Sequence, residues 1–125
     1  MTEGALVLIV DDEGRNRKLA RDVLQFHGYR TIEAANGREA VDLTLEHKPA
    51  VVLMDVRLPV MDGIEATGVL KADSKTASIP IVALTAFAMK GDEERLLAAG
   101  FDGYISKPID VKTFAQQVAR YCGRA

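Results

Sequence analysis

The chain has 125 residues, 48% hydrophobic and 27% charged, enough to bury one core and too few for two. Its 16 basic against 18 acidic residues give a formal net charge of -2, which argues against a general affinity for nucleic acid. No apolar run approaches the roughly 20 residues of a membrane-spanning helix, and Met1-Thr2-Glu3-Gly4 lacks the basic start of a signal peptide, so a single cytoplasmic domain is expected.

Ala5 to Val10 is an unbroken apolar run of strand length that stops at Asp11, Asp12 and Glu13, and it predicts a buried strand ending in an acidic loop. From Arg15 to His27 the pattern takes a helical period. Leu19, Ala20, Val23 and Leu24 form its apolar stripe, and Gly28 supplies the stop. Tyr29 to Ala34 alternates polar and apolar residues, which suits a strand at a sheet edge. Asn36 with Glu39 three residues on marks a helix start, and Ala40, Val41, Thr44 and Leu45 carry its stripe to Lys48-Pro49.

Val51-Val52-Leu53-Met54 is a third buried run, and it delivers Asp55 into a loop closed by Pro59 and Gly63. Asp62 with Glu65 repeats the cap pattern for a helix to about Ala72, weakened by Gly68. After the polar turn of Asp73 to Ser78, Pro80 to Leu84 forms a fourth buried run ending at Thr85. A helix from Met89 to Ala99 stops at Gly100. Phe101 to Ile105 makes a short fifth strand ending at Ser106-Lys107-Pro108. Asp110 caps a last helix whose stripe is Phe114, Ala115, Val118, Ala119 and Cys122; the thiol, alone in the chain, reads as core filler.

Five strands alternating with five helices predict an α/β protein with a doubly wound parallel sheet. The polar second strand belongs at an edge, which fits the order 2-1-3-4-5 with a switch point between strands 1 and 3. Ligands of such sheets sit outside the carboxyl ends of the strands. Four runs here end in a chemically useful group: Asp11 and Asp12, then Asp55, Thr85 and Lys107. In a parallel sheet those side chains crowd into one pocket. Three carboxylates so close repel one another unless a cation neutralises them, and Mg2+, with its preference for oxygen, is the expected ion. One face of Asp55 then remains free to attack phosphorus, with the cation, Lys107 and Thr85 stabilising the charge on the transferred oxygens. The plainer alternatives are that Asp11 and Asp12 only cap the next helix, that Asp62 is only a cap, and that Glu13 is a solvated first-turn acid.

Val10-Asp11-Asp12, Leu53-Met54-Asp55 with Pro59 and Gly63, Leu84-Thr85-Ala86 and Ser106-Lys107-Pro108 resemble, in order and spacing, the receiver domain of two-component response regulators. The resemblance covers almost the whole chain and implies a flavodoxin-like fold. It implies that Asp55 accepts phosphate from a histidine kinase or phosphotransfer protein, that Asp12 binds magnesium directly and Asp11 through water, and that Arg57 contributes its backbone carbonyl. Lys107-Pro108 looks like the family's cis peptide. Tyr104 matches the aromatic switch position paired with Thr85, so the surface of the fourth helix, fifth strand and fifth helix is expected to change shape. The stretch from Leu84 to Pro108 looks most like single-domain, DivK-like regulators and the receivers of hybrid kinases.

With no output domain before Ala125, output is expected to be protein contact by a protein that is monomeric when unphosphorylated. The phosphodonor is expected to dock near the first helix, at Asn16, Leu19 and Ala20, and Arg57 and Phe87 flank the path of attacking water. An aspartyl phosphatase is a rival, although such enzymes want an acid where Arg57 stands. A flavin carrier is another, although the first strand leads into carboxylates that would repel a phosphate. The third is a receiver-like module that binds partners without phosphorylation.

Overall fold

The computed structural model describes residues 4–86 and 90–122. Five strands, β1 (Leu6–Val10), β2 (Arg30–Ala34), β3 (Val51–Asp55), β4 (Ile81–Thr85) and β5 (Gly103–Ser106), form one parallel sheet in the order β2-β1-β3-β4-β5. The helices are α1 (Gly14–Phe26), α2 (Gly37–His47), α3 (Gly63–Ala72), α4 (Lys90–Ala98) and α5 (Phe114–Cys122). This is the flavodoxin-like architecture expected. The predicted start of the fourth helix at Met89, and Phe87, lie outside the described residues.

Alternation along the central strands splits the core in two, because successive side chains point to opposite faces. Ile9, Leu53 and Leu84 meet Leu24 of α1 and Phe114 of α5 on one face. Val10, Met54 and Ala83 meet Ala40 of α2, Ala66 of α3 and Leu96 of α4 on the other. β1, β3 and β4 are apolar throughout because both their faces are covered. β2 has a neighbour on one side only, and its Arg30, Thr31, Ile32 and Glu33 all keep some contact with solvent.

Helix starts follow the predicted chemistry. The Asn36 side chain accepts the Glu39 N–H at 2.9 Å while Glu39 Oε1 accepts the Ala35 N–H at 2.8 Å, and Asp62 accepts the Glu65 N–H at 2.8 Å. The last helix differs. Asp110 accepts the Lys112 N–H at 3.0 Å and opens a turn, and α5 itself begins at Phe114. Two stripes are also narrower than periodicity predicts, since Leu19 and Leu45 remain exposed while Ala20, Val23, Leu24, Ala40, Val41 and Thr44 are buried. Phe101 belongs to the core but not to β5, which starts two residues later.

Gly63 brings α3 hard against the loop that follows Asp55: a Cβ there would collide with the Asp55 backbone carbonyl, and the Gly63 N–H donates to the Val56 carbonyl at 2.9 Å. At the opposite end of the sheet Lys71 is a knot. Its Nζ donates to the Ala77 carbonyl at 3.2 Å, the Ile79 carbonyl at 3.0 Å and Asp102 Oδ2 at 2.8 Å, and that same oxygen accepts the Ile81 N–H at 2.8 Å.

Two stability measurements test these points. Gly68 is exposed within α3 and a Cβ there would meet nothing, so Gly68→Ala should raise urea-unfolding stability by about 0.5–1 kcal/mol; an unchanged midpoint would contradict it. Lys71→Met keeps the stem but strips three acceptors of their charged donor, and it should cost about 2 kcal/mol in the same assay.

Candidate functional site

Register brings the strand ends level. Val10 pairs with Met54 and Asp55 with Leu84, so Asp11 emerges beside Asp55. Thr85 pairs with Ser106, and Lys107 follows immediately. The predicted side chains do converge. Asp11, Asp12 and Asp55 present carboxylate oxygens that all lie within 4.8 Å of one another. Lys107 Nζ donates to Asp11 Oδ2 at 2.8 Å and to Asp55 Oδ2 at 2.9 Å. The Lys107–Pro108 peptide is cis.

The carboxylates occupy different environments. Asp11 is 1% exposed and spends its other oxygen on the Glu13 N–H at 2.9 Å. The capping alternative is thus realised only as this local bond: the cap residue of α1 is Glu13, which makes no side-chain cap bond of its own. Asp12 is exposed, facing the cleft. Asp55 Oδ1 accepts the Arg57 N–H at 3.2 Å, which fixes the carboxylate plane while leaving it open to the cleft. Arg17 secures the acidic loop from behind, donating to the Asp11 carbonyl at 2.7 Å and to Glu33 Oε1 at 3.1 Å; Arg21 completes that network on Glu33.

Burial pushes the Lys107 ammonium toward deprotonation, but its hydrogen bonds to Asp11 and Asp55 more than reverse this and hold it above the ordinary 10.5. Three carboxylates against this one ammonium leave two negative charges in the immediate cluster. An all-oxygen donor set carrying that charge fits a hard divalent cation such as magnesium.

The cleft over Asp55 holds about 540 Å³ and is bordered by Thr85, Lys107, Arg57 and, from α4, by Asp92 and Arg95. The last two carry no motif in the sequence, although a helix starting a few residues past Thr85 must place its first turns above the same strand ends. Thr85 is buried. Tyr104, opposite Ala83 in the β4–β5 register, lies on the same sheet face one pleat below Thr85 and is half-buried, its hydroxyl donating to Glu93 Oε2 at 3.4 Å. Beside Lys107 a second groove of about 280 Å³ is bordered by Asn16, Leu19, Pro108 and Ile109. Ala20 is not part of it: at 1% exposure it faces the core, one helical step away from Leu19. Cys122 is half-buried, and burial pushes its thiol up, keeping it protonated.

A carboxylate held open between an acid pair and a lysine, at the switch point of a flavodoxin-like sheet, defines a phosphoacceptor signalling class rather than a flavin carrier. Residues 7–119 match the response regulator receiver domain family, and the chain belongs to it. It is 50% identical over 119 residues to the polar-differentiation response regulator DivK of Brucella anthropi, covering 95% of this chain and 97% of that one. The DivK of Brucella ovis is 49% identical over the same span. A sensor histidine kinase receiver domain from Pseudomonas aeruginosa, solved with a magnesium ion coordinated in the active site cleft, superposes with a TM-score of 0.88 at 36% identity, over 96% of this chain and 98% of that one. A chemotaxis response regulator of Vibrio cholerae gives 0.89 at 31% identity, over 94% and 98%. At the level of its family, this chain is a phosphoacceptor signalling protein of two-component systems.

The raised Lys107 pKa fixes a sign. The stability it contributes is complete below 10.5 and is lost as the pH climbs through the higher folded value. The stability gap between wild type and Lys107→Met, measured by urea unfolding, should therefore be widest at neutral pH and shrink above 10.5. A gap that stays constant across that range would show that the ammonium's charge is not what holds the site.

Proposed function

We propose that Asp55 is the phosphoacceptor of a single-domain, DivK-like response regulator. The observation that supports this most directly is the placement of Lys107 Nζ against both Asp11 and Asp55 in an oxygen-rich cluster open to a cleft. An Asp55 carboxylate oxygen attacks the phosphorus of a phosphohistidine; the new O–P bond forms as the N–P bond breaks, and the departing imidazole takes up a proton. Asp12, Asp11 and Asp55, with the Arg57 carbonyl, would hold magnesium, Asp11 through water. When bound, that ion neutralises the cluster and the charge on the transferred oxygens. Lys107, already beside Asp55, and the Thr85 hydroxyl stabilise the same oxygens.

Signal output follows from where Thr85 sits. Drawn toward the phosphoryl oxygens, it vacates space above Tyr104, whose ring turns inward, and the α4–β5–α5 surface changes for a downstream protein. The histidine kinase or phosphotransfer donor docks along the groove edged by Asn16, Leu19, Pro108 and Ile109, which Asp11 and Lys107 also line. The match to DivK over 97% of its length supports the single-domain reading. The regulator we propose is cytoplasmic and monomeric until phosphorylated; no helix among the described residues is long and apolar enough to cross a membrane.

Incubation with magnesium and a small phosphodonor, followed by intact mass, tests this. Wild type should gain one phosphoryl group, Asp55→Asn none, and chelation of magnesium should abolish the gain. Equal labelling of Asp55→Asn would place the acceptor at another residue, and no labelling of wild type would leave a receiver-like module that works without phosphorylation.

A further inference from the structure

The first turns of α4 carry an ion pair at the edge of the acceptor cleft: Arg95 Nη2 lies 3.2 Å from Asp92 Oδ1, and both residues border the cleft above Asp55. Arg95 also borders the adjoining shallow depression over the Asp55–Asp62 loop, beside Asp12, Arg57 and Asp62. Arg95 thus lines the cleft toward the Asp55–Asp62 loop, away from the groove that Lys107 lines. The pair is poorly insulated, the Arg95 side chain being 65% exposed and the Asp92 side chain 29%. A pair so exposed is weak and readily exchanged.

Phosphorylation alters this balance at one point only. Asp55 changes from one negative charge to nearly two, with three strong acceptor oxygens projecting into the cleft. A planar guanidinium matches such oxygens with two parallel N–H donors, a stronger arrangement than a single contact to an exposed carboxylate. Lys107, held by Asp11 and Asp55, offers a compact charge from the end of β5; among the described residues, the Arg95 guanidinium is held by Asp92.

We infer that Arg95 is a phosphoryl-sensing residue that exchanges Asp92 for the phosphoryl oxygens on Asp55, drawing the first turns of α4 toward the site. This rests on Asp55 being the acceptor, and it supplies a route to α4 separate from the Thr85–Tyr104 pair. Leu96, next in sequence, is buried against β4 and Tyr104 borders the same core, so displacement of Arg95 is transmitted to the packed face of the helix. Glu93, in the same turn as Asp92, accepts the Tyr104 hydroxyl, which links the two routes at one helix end.

The test uses the full chain with magnesium and beryllofluoride, which stands in for the phosphoryl group on an aspartate. In wild type, the Arg95 side-chain Nε resonance should shift on beryllofluoride addition together with the Asp55 backbone amide. Arg95→Gln should bind beryllofluoride about tenfold more weakly, the scale of one charge-assisted hydrogen bond, with Arg95→Lys recovering part of the loss. Asp92→Asn, which releases Arg95, should bind as tightly as wild type or more so. Both side chains reach the surface, and circular dichroism will confirm that the three variants fold. Uptake by wild type with the Arg95 resonance unmoved, or an Arg95→Gln affinity within about twofold of wild type, overturns this inference alone. Wild type that takes up no beryllofluoride overturns the acceptor assignment, and this inference with it.

Discussion

Lys107 Nζ, shared between Asp11 and Asp55, is the contact on which the site depends. It joins the ends of three non-consecutive strands, β1, β3 and β5, through one ammonium. The separations in sequence, 96 residues to Asp11 and 52 to Asp55, mean that only the finished sheet can bring these groups together. Asp11, almost fully buried, would be costly to leave ionised without a partner, so the lysine stabilises the folded state and shapes the site at once. The cluster nonetheless carries more negative charge than one ammonium can offset. That residue of charge equips the pocket for a divalent cation and for chemistry in which yet more charge accumulates.

The rest of the fold supports this arrangement by making the strand ends rigid. β1, β3 and β4 are sealed on both faces, so their positions are set by packing on two sides. Gly63 holds the start of α3 against the backbone of Asp55, and Arg17, tied to Glu33 on β2, holds the loop of Asp11. Around Asp55, then, the α1 and α3 sides are braced. On the α4 side, the polar contacts among the described residues are an exposed ion pair at the cleft edge and a long hydrogen bond from Tyr104 to Glu93. Stiffness on one side and exchangeable contacts on the other are what a two-state output requires.

Much of this was legible in the sequence because parallel sheets convert pattern into position. A buried strand on both faces reads as a plain apolar run, and whatever polar residue ends the run must sit at the rim, which located Asp11, Asp55, Thr85 and Lys107 without coordinates. Legibility failed where a contact depends on side-chain reach or helix phase. Leu19 reads as core by its period, yet α1 is rotated so that Ala20 and Leu24 face the sheet and Leu19 borders a groove. Asp110 has the chemistry of a helix cap, but its side chain caps a turn, with three residues, 111–113, intervening before α5 begins. Asp92 and Arg95 sit in an ordinary charged helix segment, and nothing in their spacing reports that α4 leans over the cleft. Lys71 likewise looks like a solvated lysine until the chain's return through Ala77 and Ile79 delivers carbonyls to it.

That lysine has a mechanical meaning. Lys71 and Asp102 clamp the amino ends of β4 and β5, where the Ile81 N–H meets Asp102 and the Asp102 N–H meets the Ile81 carbonyl at 2.8 Å. The carboxyl ends, with Thr85 and Lys107, lie a full strand length away. Any rearrangement that preserves the clamp can swing the far ends but cannot slide the strands along their axes, because the ladder stays pinned at one edge. Lys71 is in that sense a fulcrum. A small shift at the Asp55 end would then be expressed as a change of angle across the β4–α4–β5 layer, largest at the carboxyl ends of the strands and smallest at the end that keeps the fold intact.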